Sequence, residues 1–144
     1  MALPKPTPGL VIRYSYLWRE EHLRGQEEGV KNPPCAIVLV VTNENDDRIV
    51  TVLPITHTPQ RAGDGIEIPA ATKRRLGLDD ERSWIVLTEA NRFIWPGPDL
   101  HPARRGDAAS VACGLLPDAL FEQVRARFIA NIRSSKIRAV MRSE

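Results

Sequence analysis

The chain has 144 residues, 42% of them hydrophobic, enough to bury one core without disulfide or metal staples and too apolar for a disordered chain. Twenty basic residues face eighteen acidic ones, so the net charge of +2 demands no anionic partner and its distribution matters more than its sum. No run approaches the ~18 apolar residues that span a bilayer. Met1–Pro6 lacks a signal-peptide core, and Cys35 and Cys113 stand apart without metal spacing. The expected setting is therefore a reducing cytoplasm, with no membrane, no cofactor, no metal and both thiols unpaired.

Pro4-Lys5-Pro6-Thr7-Pro8-Gly9 excludes a helix and predicts an extended lead-in. Leu10, Ile12, Tyr14, Tyr16 and Trp18 then alternate with Val11, Arg13, Ser15, Leu17 and Arg19, the period of a half-buried strand. Residues 19–34 are polar and read as a long loop closed by Pro33-Pro34. The unbroken, β-branched run Cys35–Val41 predicts a central strand covered on both faces. Across the acidic turn Asn43–Asp47, residues 49–56 form its hairpin partner, with Pro54 turned away from a neighbouring strand or ending its own.

A short strand is expected at Gly65–Pro69, then a helical turn from Ala70 to Leu76 stopped by Gly77. Further strands are expected at Ser83–Glu89 and Asn91–Trp95, and residues 96–114 read as irregular. Pro117 sits where a first-turn proline costs nothing. Leu120, Phe121, Val124, Phe128 and Ile132 repeat at helical spacing as a packing stripe. Past Arg133 the chain reads as a basic tail, residues 134–144, beyond a single domain whose core runs from about 8 to 133. Short strands plus one terminal amphipathic helix make the expected class mainly β, a small antiparallel barrel.

Standard sites are missing from the sequence. It has no phosphate loop and no nucleophile elbow. His22, His57 and His101 lack metal spacing and read as surface or packing residues. The basic side chains Arg125, Arg127, Arg133, Lys136, Arg138 and Arg142 read first as a solvated helix face.

What remains is an order of pieces. Pro8-Gly9-Leu10-Val11-Ile12 opens the chain's first strand. A loop with Gly25-Gln26-Glu27 leads to Pro33-Pro34 and the apolar strand, the next strand ends Pro54-Ile55-Thr56, and a later one carries Ile85-Val86-Leu87-Thr88-Glu89. In this order, over residues 8 to about 132, the chain resembles the PemK/MazF family of RNA-cleaving toxins from toxin–antitoxin pairs. The resemblance implies an SH3-like barrel, a homodimer with single-stranded RNA in its groove, and a cognate antitoxin that blocks the groove. It also implies metal-independent cleavage in which the ribose 2′-hydroxyl is the nucleophile, a chemistry that needs a base, an acid and cations for the phosphorane.

On that resemblance the catalytic candidates are Thr56, whose hydroxyl can donate to a phosphate oxygen, Glu89 as base, and Glu27 of the loop. Lys31, Arg92, Arg13 and Asn91 are the candidates for RNA contact. The chain departs from the pattern at Pro33 and Leu87, where relatives carry arginine; Lys31 and Arg92 are the nearby cations. Arg13 and Arg19 share the odd-numbered face of the first strand, which otherwise reads as a solvated outer face. Among the tryptophans, Trp18 belongs to the core stripe, while Trp95 before Pro-Gly-Pro is the one expected to be exposed for base stacking. The departures leave two alternatives open: a degenerate relative that binds RNA or an antitoxin-like protein without cleavage, and a dimerisation or adaptor module with no nucleic-acid role.

Overall fold

The computed structural model describes residues 3–18, 33–134 and 138–141. The expected class is met: a small, mainly β domain with one C-terminal helix. Its strands are β1 (Leu10–Arg13), β2 (Pro34–Thr42), β3 (Arg48–Thr56), β4 (Gly65–Glu67), β5 (Trp84–Val86), β6 (Glu89–Ile94), β7 (Ala112–Leu115) and β8 (Arg138–Met141). Helix α1 spans Ala70–Arg75 and α2 spans Asp118–Arg133. The ladder order is β4-β5-β3-β2-β1-β7, with β6 also on β3 and β8 on β6. Every pairing is antiparallel except β6 with β8. Among the described residues no ladder joins β4 to β7.

The first half of the apolar run of β2 has the cause its sequence suggests; beyond it Leu39 and Val40 are half-buried and Val41 is 55% exposed, so the two-sided cover expected over Cys35–Val41 ends at Val38. Ala36 and Val38 pack into one cluster with Val11, Leu53, Ile55, Ile85 and the α2 stripe Leu120, Val124 and Phe128. Cys35 and Ile37 pack into a second, on the other face, with Ile12, Tyr14, Tyr16, Val50, Val52 and Phe93. Both faces of the sheet centre are thus dry, and each fully buried Val, Ile, Leu or Phe contributes about 1.5–3 kcal/mol. The β2–β3 hairpin closes as expected: Asn43 Oδ1 accepts from the backbone N–H of Asn45 and Asp47, and Asp46 takes φ 68°. Short polar side chains of this type suit such a turn.

Pro54 sits where a missing donor costs nothing. On that edge of β3 the β6 ladder ends at Val52 and the β5 ladder begins at Ile55. Gly9 takes φ +93°, donates to Ile37 O at 2.7 Å and accepts from Leu116 N at 2.8 Å, tying the lead-in to both β2 and the start of α2. A Cβ there would lie 3.5 Å from the Phe121 ring, so the backbone conformation, more than space, selects glycine.

Several boundaries differ from expectation. The ladder of the first strand stops at Arg13, because Tyr14 turns to bridge Leu100 and Ser15 N bonds Asp99 O. The run expected as one strand over 83–89 breaks after Val86, and Glu89 instead opens β6. The stretch 96–114 contains a 3₁₀ turn at Ala108–Val111 and strand β7, which bulges against β1 between Val11 and Ile12. The expected tail supplies β8, parallel to β6. Ile132 lies 47% exposed while Asn131 is buried, its amide donating to Gly63 O and Leu87 O at 3.1 and 2.9 Å. Cys35 and Cys113 are both free thiols. No described helix is long and apolar enough to cross a membrane.

Candidate functional site

The groove opens at strand ends rather than strand middles. Arg13 ends β1, Pro34 begins β2 directly opposite it, and Thr56 ends β3 opposite Trp84 of β5. These ends open onto a groove of about 560 Å³, walled by Trp18, Pro33, Ile55 and Leu78 and lined with polar groups from Arg13, Thr56, His57, Thr58, Lys73, Asp79 and Ser83.

Arg13 is half-buried, and its Nε is buried without a hydrogen-bond partner among the described residues. Thr56 Oγ1 accepts from Thr58 N at 3.2 Å, which satisfies it as acceptor and leaves its hydroxyl proton to donate elsewhere. A guanidinium and a hydroxyl donor in one groove suit an oxyanion such as a phosphodiester.

Beside them lies a chain of polar contacts running from the interior to the groove. Lys73 of α1 is only 4% exposed. Its ammonium donates to Asp79 Oδ1 at 2.6 Å, to Ser83 Oγ at 2.7 Å and to the Glu81 carbonyl. The other Asp79 oxygen meets His57 Nε2 at 2.8 Å, and Glu81 Oε2 lies 3.6 Å from the same nitrogen. The hydrogen bond from Lys73 holds the Asp79 carboxyl below the usual aspartate range; burial opposes it, and the hydrogen bond from His57 adds to the lowering to a lesser degree. His57, Asp79 and Glu81 each place a ligand atom within 4.8 Å of the others, close enough to share a divalent cation. All three are exposed, and the Lys73 ammonium on Asp79 would repel that cation.

The candidates named from sequence divide into three groups. Thr56 and Arg13 both line the groove. Glu89, Asn91 and Arg92 lie along β6, outside the groove lining. Glu89 Oε1 accepts the Tyr16 hydroxyl at 3.2 Å; burial first, and this carboxylate second, push the tyrosine well above its ordinary pKa. Asn91 is fully buried, accepting from Leu17 N and donating to Leu17 O, both at 2.8 Å. Arg92 pairs with Thr51 in the ladder and is partly exposed. Glu27 and Lys31 lie outside the described residues, as does Arg19.

Sequence reasoning missed His57, Lys73, Asp79 and Ser83; Trp18 packs against the second cluster as its place in the core stripe suggests, and it also lines the groove. Trp95 packs partly buried against the second cluster. The signal for His57 was its place directly after Thr56 at a strand end. Nothing local distinguished Lys73 from the solvated arginines next to it. Comparison with known proteins gives no match, neither to a family model nor to a curated protein.

Proposed function

We propose that this groove takes the backbone of single-stranded RNA, and that the chain is an endoribonuclease of the PemK/MazF kind, the toxin half of a toxin–antitoxin pair. Arg13 carries the reading: it lines the groove with a buried Nε that has no partner among the described residues. A buried donor left unsatisfied costs about 1–3 kcal/mol, and more when charged. A phosphate in the groove would give this guanidinium a counter-charge and an acceptor, and the Thr56 hydroxyl, which lines the same groove, is a second donor for it.

The register adds support. The family pattern places arginine before the loop proline, where this chain has Pro33. Here Arg13 stands across the ladder from Pro34, so a guanidinium reaches the same end of β2 from the neighbouring strand. In 2′-hydroxyl attack the nucleophile belongs to the substrate. The protein's tasks are to steady the charge on the phosphorane and to move protons, and Arg13 with Thr56 serves the first. The same reading carries a homodimer and an antitoxin that covers the groove.

Glu89 favours the second reading, binding of RNA or an antitoxin-like protein without cleavage, because Tyr16 holds it off the groove. One experiment separates the two. Labelled unstructured RNA, incubated with the protein in EDTA, should yield 2′,3′-cyclic phosphate and 5′-hydroxyl ends. Arg13→Ala should lower the rate about 10²–10³-fold and flatten the salt dependence of binding. Salt-sensitive retention of intact RNA selects the non-cleaving reading. RNA neither retained nor cut, across many sequences, refutes both.

A further inference from the structure

We propose that His57 is the general acid of the cleavage, held in place by Asp79 and by the buried Lys73; this rests on the ribonuclease reading above. His57 follows Thr56 in the chain and lines the same groove as Thr56 and Arg13.

The contacts behind the ring are unusual for a surface histidine. An exposed His–Asp pair adds little stability, and the His57 and Asp79 side chains are 53% and 48% exposed. Burying a lysine, by contrast, is costly unless its charge and all its donors are matched. Lys73 is matched on three sides, by Asp79, Ser83 and the Glu81 carbonyl. That anchor fixes one oxygen of Asp79 and so aims the other at His57 Nε2. The Nε2–H is thereby committed to a carboxylate, which leaves the Nδ1–H of the imidazolium to donate. The charged groups facing the ring among the described residues are Asp79 and Glu81, with Lys73 behind Asp79 and Arg13 also lining the groove. Both immediate neighbours of the ring nitrogen are counter-charges to a positive imidazole.

In the proposed step the 2′-oxygen attacks phosphorus and releases its proton to water. The P–O5′ bond breaks, its electron pair goes to O5′, and O5′ takes the proton from Nδ1 of His57. The products are a 2′,3′-cyclic phosphate, a 5′-hydroxyl and a neutral imidazole, which solvent reprotonates. Arg13 and Thr56 hold the non-bridging oxygens throughout.

The test exploits a leaving group that needs no proton. The scissile linkage is mapped with the wild-type protein on an unstructured RNA, and the same RNA is made with sulfur in place of that O5′. His57→Gln should cleave the ordinary RNA about 10²–10⁴-fold more slowly, yet cleave the sulfur-containing RNA within about tenfold of wild type. Asp79→Asn, which removes a positioning residue, should follow the same pattern to a smaller degree, whereas Arg13→Ala should be slow on both substrates. His57→Gln that matches wild type on ordinary RNA, or that is equally slow on both, overturns the proposal and leaves the ribonuclease reading standing. A wild-type protein that cuts neither substrate removes that reading and this proposal with it.

Discussion

Asn91→Ala tests whether the interior of the fold is understood. The Asn91 amide makes a strand-like pair of hydrogen bonds with Leu17, one to its N–H and one to its carbonyl, both at 2.8 Å. Leu17 is 2% exposed, so neither backbone group has water in reach. Truncation removes both partners, and each orphaned buried group costs about 1–3 kcal/mol. The segment around Leu17 lies outside any ladder and can shift to admit a water, which places the sum toward the lower end, about 2–4 kcal/mol. With a urea m-value of about 2 kcal/mol/M, the unfolding midpoint followed by tryptophan fluorescence should fall by about 1–2 M. Asn91→Asp should destabilise similarly at neutral pH, where a carboxylate oxygen faces the Leu17 carbonyl. It should recover in part at low pH, where the protonated acid can donate. A midpoint shift of less than about 0.25 M for Asn91→Ala, the range of an ordinary surface substitution, would refute the assignment and return Asn91 to the candidates for RNA contact.

Two further outcomes follow from the same geometry. The Asp79 carboxyl is held below the ordinary aspartate range, chiefly by Lys73, so between its folded and unfolded values the unfolded chain binds more protons. Its contribution to stability is full above about pH 3.9, the unfolded value, and is lost as pH falls through the lower folded one. The gap in urea midpoint between wild type and Asp79→Asn should therefore close progressively below about pH 4, and a gap that widens there contradicts the contact. Asn131→Leu keeps the bulk of the helix face but strips the donors from Gly63 O and Leu87 O. The thermal midpoint should drop by roughly 3–10 °C, for a cost of about 1–3 kcal/mol, and an unchanged midpoint would mean that those carbonyls find other partners.

The differences between sequence and structure have a common origin. The period-two face Leu10–Tyr16 was legible, but the point where β1 leaves its ladder depends on Leu100 and Asp99, some 85 residues away in the chain. Strands β7 and β8 carried no apolar alternation of their own to read, and each exists by virtue of the edge it meets, β1 for the one and β6 for the other. Asn131 took the buried place expected of Ile132 because the helix faces two carbonyls there, and an apolar side chain cannot satisfy them.

What the amino-acid sequence determined by itself is what local pattern encodes: a β-rich class, the two-sided burial of the first half of β2, the polar turn at Asn43–Asp47, the start of α2 after Pro117, and Thr56 at a strand end. These are properties of short windows, where side-chain alternation and turn chemistry act on the backbone directly. The make-up of the groove was decided by the tertiary structure. Arg13 comes to the groove through its register with Pro34, and His57 meets Asp79 only because the segment after α1 folds back over Lys73. A lysine among arginines in one helical turn carries no local mark of burial; its environment is set by residues that follow the helix, and through them it sets the position of a histidine sixteen residues before it.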